Sequence, residues 1–111
     1  MNLQDHLKSG KEYGNTGSRR PCSKLVCADG FEVSVQASRT HYCTPRDDHG
    51  PYTEVELGYP SETVEAWMEY AEDSDRPTDT VYGHVPIEWV VQVLDQHGGI
   101  DWIMTAKEEK K

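Results

Sequence analysis

A chain of 111 residues is long enough for one compact domain with a single core and too short for two ordinary domains. Eleven Lys and Arg against twenty Asp and Glu give a formal net charge of −9. That charge excludes a strong nonspecific attraction to nucleic acid or anionic membranes, and it favours a basic partner.

Targeting signals and disulfides are not indicated. The first ten residues, MNLQDHLKSG, are polar where a signal peptide would be apolar, and the apolar runs elsewhere are short. We therefore expect a cytoplasmic protein without a membrane span. Cys22, Cys27 and Cys43 are an odd set that suits reduced thiols better than a disulfide framework, although one bridge between two of them stays open.

Two segments precede the main apolar pattern. Residues 2–9 carry two leucines one turn apart and a following glycine, which predicts a short amphipathic helix. Residues 10–21, GKEYGNTGSRRP, hold three glycines and end in the basic pair Arg19 and Arg20. An irregular, partly mobile connection is predicted there.

The first strong signal is a β-hairpin. Asp29-Gly30 between two alternating apolar runs favours a two-residue type I′ turn, because both central positions need a positive φ. That turn would place Val26 opposite Val33, with Leu25 and Cys27 on a mixed outer face. The core face would then carry Val26, Ala28, Phe31, Val33, Val35 and Ala37.

A third strand and a helix are predicted after the hairpin. Residues 52–59 alternate apolar and polar positions and would pair with the second strand. Ser61 is a favourable N-cap, so the apolar positions behind it predict a helix that covers the sheet. Its buried stripe would comprise Val64, Trp67, Met68 and Ala71.

A fourth strand and a second helix are predicted next. Residues 81–85 suit a short strand, and Pro86 suits a first helical turn, where its missing N–H is not needed. His97-Gly98-Gly99-Ile100 would end the helix. Residues 100–104 would form a final strand or a docked extension. The stripe of this helix would comprise Ile87, Val90, Val91 and Leu94.

These elements predict a single α+β domain, with a three- to four-stranded antiparallel sheet and two main helices packed on one face. The domain is placed at residues 22–104. Residues 1–21 would precede it as a short helix and mobile connection, and residues 105–111 would follow as a frayed charged tail.

The loop of residues 38–52 holds the densest set of recognition side chains. It is longer than a hairpin needs, and such loops are frequently functional. Arginine donors beside aromatic rings can hold a carboxylate, a phosphate or a nucleotide. The alternative is a loop pinned by Arg–Asp pairs. A ligand site here would use Arg39, His41, Tyr42, Cys43, Arg46, His49 and Tyr52.

Two further chemistries involve the cysteines. Cys43 could act as a nucleophile with His41 or His49 as base, although no family signature surrounds it. Cys22, Cys27, His41 and Cys43 could supply zinc ligands, but their spacing lacks the two tight pairs of a zinc knuckle. We therefore expect no catalytic residue, no metal and no cofactor.

The second candidate surface is acidic. Acidic residues recur along the helix predicted from Ser61 and along the loop after it, and a run of this kind is usually a solvated helix face. It could also imitate a phosphate backbone and occupy a channel lined with Lys and Arg. The exposed side of the Ser61 helix and its following loop would carry Glu62, Glu65, Glu69, Glu72, Asp73 and Asp75.

Five blocks of the sequence resemble a group of short uncharacterised proteins of phages and prophages: CADGFEVSVQAS, HYCTPR, GPYTEVELGYPSE, DTVYGHVP and QHGG. The resemblance spans about residues 26–99 and implies a phage setting, in which small acidic proteins resemble inhibitors of host defences or host enzymes. We therefore expect a non-enzymatic binding protein that blocks a host defence or nucleic-acid-handling complex in the host cytoplasm through its acidic surface. The alternative is a small-ligand or nucleotide-binding domain that uses the loop of residues 38–52.

Overall fold

The computed structural model describes residues 2–8, 11–13, 18–20 and 22–108. The helices are α1 (Leu3–Leu7), a 3-10 helix (Glu65–Tyr70), α2 (Ile87–Gln96) and α3 (Trp102–Glu108). The strands are β1 (Lys11–Tyr13), β2 (Ser18–Arg20), β3 (Leu25–Val26), β4 (Glu32–Gln36), β5 (Glu54–Gly58) and β6 (Val81–Pro86). Strands β3 to β6 pair in sequence order into one antiparallel sheet, and β1 pairs with β2 apart from it. The predicted α+β class is confirmed.

One hydrophobic core joins the sheet to the helices. Val33 and Val35 of β4 and Val55 and Leu57 of β5 are each 0% exposed, because alternate strand positions point to the same face. The 3-10 helix and α2 contribute the other side of this core. No helix in the described ranges has the length and apolar character that crossing a membrane requires.

The predicted N-terminal helix is confirmed as α1. Asn2 caps it by accepting the N–H of Asp5 at 2.9 Å. Leu7 is buried in the core, and the Gln4 side chain exchanges two hydrogen bonds of 2.9 Å with the backbone of Tyr52. These contacts dock α1 beside the start of β5.

The segment predicted as an irregular connection contains β1 and β2. Lys11 pairs with Arg20 and Tyr13 pairs with Ser18. The prediction is wrong for these strands because their sequences, KEY and SRR, are short and mostly polar, so no apolar alternation marks them. Residues 9–10, 14–17 and 21 lie outside the described residues.

The β3–β4 hairpin lies one residue out of the predicted register. Leu25, not Val26, pairs with Val33. Leu25 and Cys27 therefore enter the core, where they are 0% and 2% exposed, and their predicted place on the outer face is wrong. Val26 lies on the opposite face under α3, whose Thr105 Oγ1 accepts the Val26 N–H at 3.0 Å.

The turn explains this shift. Cys27 N–H donates to Phe31 O at 2.8 Å, so three residues form the loop instead of two. Gly30 has a φ of +96°, but Asp29 lacks the positive φ that a type I′ turn requires. Asp29 Oδ1 instead accepts the N–H of Phe31 at 3.0 Å. Ala28, predicted in the core, is exposed in the loop.

The helix predicted to start at Ser61 is a 3-10 helix that begins only at Glu65. Ser61 Oγ accepts the N–H of Glu32 at 2.9 Å, and Ser61 N–H donates to Glu32 O at 2.8 Å. The hydroxyl and the N–H of Ser61 are thus both used at the start of β4. The N-cap prediction is wrong because this pairing competes with capping.

Trp67 anchors the 3-10 helix in the core. It is 0% exposed, and its ring centroid lies 6.2 Å from that of Phe31 and 6.4 Å from that of Tyr82. Its indole N–H donates to Trp89 O on α2 at 3.3 Å. The rest of the predicted stripe comprises Val64, which is buried, and Met68 and Ala71, which are partly buried.

Helix α2 begins directly after Pro86, one residue later than predicted. Val91, predicted in the buried stripe, is 40% exposed, and Val93 takes its place at 4%. The predicted glycine stop is confirmed, since Gly99, at a φ of +84°, donates its N–H to Leu94 O at 2.9 Å. The fully or nearly buried side chains of α2 are Val90, Val93 and Leu94.

Helix α3 occupies the segment predicted as a final strand or extension. Asp101 starts it by accepting the N–H of Met104 at 3.0 Å through Oδ1, a typical N-terminal cap. The helix continues to Glu108, so the fraying predicted from residue 105 is wrong for residues 105–108. Residues 109–111 lie outside the described residues.

Replacement of Trp67 tests the core. Trp67→Ala should lower the free energy of unfolding by about 3–5 kcal/mol, because it removes a fully buried indole and leaves a cavity. Trp89→Ala, at an indole that is 43% exposed, is the matched control and should change it by less than about 1 kcal/mol. Urea unfolding followed by circular dichroism measures both values. Equal losses in the two variants would contradict this assignment of the core.

Candidate functional site

The loop of residues 38–52 is held in place by its own polar groups. Asp47 Oδ1 accepts the N–H groups of His49 and Gly50, each at 2.9 Å. Both hydrogen bonds lower the pKa of the Asp47 carboxyl, and the bond from the Gly50 N–H has the larger effect. Tyr52 is 2% exposed, and its hydroxyl donates to Asp47 O at 2.8 Å. Asp47 therefore organises the tip of the loop.

Two further contacts pin the first half of this loop. Arg39 forms an ion pair with Asp48, whose Oδ1 also accepts the Arg39 N–H at 3.0 Å. Ser38 Oγ lies 2.6 Å from His41 Nδ1. The predicted alternative, a loop pinned by Arg–Asp pairs, therefore holds for Arg39, whose guanidinium is paired with the Asp48 carboxylate.

The Cys43 thiol has the environment of an unreactive group. It is 2% exposed, and Sγ donates to Ser38 O at 3.1 Å and to Pro45 O at 3.4 Å. Burial raises the pKa of Cys43, so the thiolate that a nucleophile needs is disfavoured at neutral pH. The structure therefore gives Cys43 a packing role in the loop.

Cys22 and Cys27 are also buried, and neither forms a disulfide. Cys22 Sγ donates to Val35 O at 3.0 Å, and Gln36 Oε1 accepts the Cys22 N–H at 3.1 Å. Burial raises the pKa of Cys27 to about 11. Within the part of the chain that is described, no three His, Cys, Asp or Glu side chains gather where they could hold a metal ion.

Tyr42 and Arg46 are the predicted ligand residues that the loop brings together on the surface. The Arg46 guanidinium lies over the Tyr42 ring, with Cζ 5.5 Å from its centroid. His84 of β6 approaches the same ring at 6.2 Å, and its Nδ1 lies 3.3 Å from Glu54 Oε1. His49 is exposed nearby in the chain. A ligand role for Tyr42 and Arg46 stays a prediction.

Sequence reasoning missed His84 and Glu54 because both lie in strands predicted only as scaffold. The β5–β6 register shifts between Val55 and Leu57, and His84 has a φ of +53°, a conformation that is rare outside glycine. Strand alternation carries no signal for such a bulge. The neighbouring Gly83, against which the Tyr42 side chain packs, is the one hint in the sequence.

The acidic segment comprises residues 62–79. Its six predicted carboxylates are all exposed, but they do not share one helix face, because only residues 65–70 are helical. The segment contains a single basic residue, Arg76, which forms an ion pair with Asp79. The carboxylates are Glu62, Glu65, Glu69, Glu72, Asp73 and Asp75.

A groove lies between residues 62–66 and α2, with a volume of about 530 Å³. Val64 and Val93, 8% and 4% exposed, form its apolar floor. Trp89 lines the α2 side and stays 43% exposed. Glu62 and Glu65 line the other side. The sequence predicts these two carboxylates as binding residues, but it does not predict the groove, because no residue of α2 was expected to bind a partner.

His97 also lines the groove. Its ring stacks on that of Phe31, with centroids 4.1 Å apart and planes at 6°. Nδ1 lies 2.6 Å from Asp29 Oδ2, and Nε2 lies 3.5 Å from Glu62 Oε1. The hydrogen bond from the Phe31 N–H lowers the pKa of the Asp29 carboxyl most, and the hydrogen bond with His97 lowers it further. His97 thereby lies between Glu62 and the β3–β4 turn.

Negative charge continues beyond the groove around Tyr70. Desolvation raises the pKa of the Tyr70 hydroxyl, and the carboxylates of Glu69, Glu54 and Glu88 raise it further. These carboxylates come from the 3-10 helix, β5 and α2. The acidic surface is therefore assembled from three elements that are distant in sequence.

Comparisons with protein-family models, curated proteins and solved structures gave no significant match. The function is therefore inferred from the residues of this chain. The likeness of the five sequence blocks to phage proteins stays a prediction.

Thiol labelling tests the inert character of Cys27 and Cys43. At pH 8, iodoacetamide should modify both far more slowly in the native chain than in denaturant, because their raised pKa values leave little thiolate. Labelling of Cys27 should accelerate as the pH rises towards 11. Peptide mapping by mass spectrometry measures each site. Rapid labelling of native Cys43 at pH 8 would restore the nucleophile hypothesis.

Proposed function

We propose that this chain is a non-enzymatic binding protein that attaches to a basic surface of a partner protein through the acidic segment and the groove beside it. The observation that carries this proposal is the row of exposed carboxylates from Glu62 to Asp75 beside an apolar groove with an exposed Trp89. Carboxylates supply long-range attraction, and the groove supplies a place for close contact.

The charge distribution supports a basic partner. The acidic segment has seven carboxylates and one arginine, and that arginine is already paired with Asp79. Clustered charge of one sign steers an oppositely charged partner and raises the association rate, most strongly at low salt. The same charge repels nucleic acid, so we propose no direct nucleic-acid binding.

The proposed class of partner rests on the exposure of these carboxylates and on the sequence resemblance to phage proteins. Exposed carboxylates can occupy a channel whose Lys and Arg side chains normally contact phosphates. We therefore propose that the partner is a host defence or nucleic-acid-handling complex in the host cytoplasm, which this chain blocks. The buried, hydrogen-bonded thiol of Cys43 supports a role without catalysis.

A second candidate function is small-ligand or nucleotide binding at the surface of the 38–52 loop. The observation that favours it is the position of the Arg46 guanidinium over the Tyr42 ring. Among the described residues, this guanidinium has no carboxylate partner. A planar cation beside an aromatic ring can hold an anionic or aromatic ligand. Of the seven predicted ligand residues, Cys43 and Tyr52 would contribute only by shaping the loop, since both are buried.

The two functions predict different effects of substitution on partner capture. The tagged full chain should retain a basic protein from a bacterial lysate, and affinity should fall as NaCl rises from about 0.1 to 1 M, over which the Debye length shortens from about 10 to 3 Å. The double variant Glu65→Lys/Glu69→Lys should weaken the purified complex by about tenfold or more, because like charges then face each other.

Two controls complete this test by calorimetry. Asp5→Lys/Asp95→Lys makes the same change in net charge outside the acidic segment and should weaken binding far less. Arg46→Ala should leave binding unchanged if the acidic segment is the contact surface. Indifference to salt and to the Glu65/Glu69 reversal, or loss of binding in Arg46→Ala, would overturn the proposal in favour of the loop.

A further inference from the structure

We propose that the groove is the pocket for an arginine side chain of the partner protein, with its guanidinium on the Trp89 indole and its charge facing Glu65 and Glu62. This inference rests on the proposed function, since it names the anchor that the acidic surface would hold. It adds a residue on α2 that the charge argument alone does not involve.

The shape of the groove suits a long side chain with a charged end. Its floor is apolar, formed by the buried Val64 and Val93, while its carboxylates and Trp89 remain exposed. Arginine buries its aliphatic stem along apolar surface and keeps its charged head near polar groups. A volume of about 530 Å³ leaves room for such a side chain together with water.

The exposed Trp89 indole projects from a backbone position that is tied to the core. Its backbone carbonyl accepts the indole N–H of Trp67 at 3.3 Å, which ties this turn of α2 to a fully buried residue. The Trp89 ring itself is 43% exposed, although a large apolar side chain gains stability by burial. An exposed indole on a fixed backbone is the best aromatic acceptor for a cation.

The charged side of the groove is ready for a cation. Among the described residues, the Glu65 carboxylate makes no hydrogen bond or ion pair, and no Lys or Arg lines the groove. Glu62 Oε1 lies 3.5 Å from His97 Nε2. An incoming guanidinium would therefore contact Glu65 without displacing another cation from it.

Arginine fits this groove better than lysine. The guanidinium is planar, so it can lie flat on an indole while its N–H groups fork to a carboxylate. The lysine ammonium is a compact and strongly hydrated point charge that does neither as well. A site with an indole on one side and carboxylates on the other therefore discriminates between two cations of equal charge.

Two blocked peptides of equal charge, tetra-arginine and tetra-lysine, test this inference by isothermal titration calorimetry on the full chain. Wild type should bind tetra-arginine about fivefold more tightly than tetra-lysine. Trp89→Leu should reduce that ratio to about one, while the affinity for tetra-lysine stays the same. Circular dichroism melting of Trp89→Leu confirms that the variant is folded.

A matched pair of charge variants separates the pocket from the surrounding field. Glu62→Gln/Glu65→Gln should lower both affinities and remove the preference for arginine. Glu69→Gln/Glu72→Gln removes the same charge outside the groove and should lower both affinities while the preference remains.

The outcomes distinguish the pocket from the proposed function beneath it. Equal binding of the two peptides by wild type, or a preference that survives Trp89→Leu, overturns the arginine pocket and leaves attachment through the acidic segment intact. Failure of wild type to bind either peptide also overturns the pocket. The proposed function fails separately, if partner capture proves indifferent to salt and to the Glu65/Glu69 reversal.

Discussion

The core and the candidate site both depend on the packing of the buried Trp67 side chain. Its ring packs near Phe31 of the hairpin and Tyr82 of β6, so it fixes the 3-10 helix to the sheet. Its indole N–H reaches Trp89 O and ties the same helix to α2. Because the groove lies between residues 62–66 and α2, one buried side chain sets both of its walls.

The surface chemistry divides into a loop with satisfied groups and a segment with unsatisfied charge. In the 38–52 loop, Asp47 accepts two backbone N–H groups and Arg39 pairs with Asp48, so much of its polar potential is used internally. In the acidic segment, carboxylates such as Glu65 and Glu69 face solvent. Unneutralised charge beside an apolar groove favours association with a basic surface, which is why we propose the acidic segment as the binding surface.

Much of the scaffold could be predicted from the sequence, because the alternation of apolar residues in strands and their spacing in helices reflect directly which positions are buried. The core positions of β4 and β5 follow from this, as do Val90 and Leu94 of α2. The hairpin register instead depends on whether Asp29 adopts a positive φ or accepts the Phe31 N–H. Apolar spacing carries no information on that choice. The sequence likewise identifies the carboxylates but misses the groove, since its shape depends on the Trp67–Trp89 bond between elements distant in the chain.

Chemical-shift mapping of the ¹⁵N-labelled full chain with blocked tetra-arginine peptide locates the surface that binds the basic ligand. We expect the largest changes on residues 62–69, on the backbone and indole N–H of Trp89, and on His97. The buried indole N–H of Trp67, bonded to Trp89 O, should shift less than that of Trp89. Changes centred on Tyr42 and Arg46 instead would contradict the account and place the binding surface on the loop.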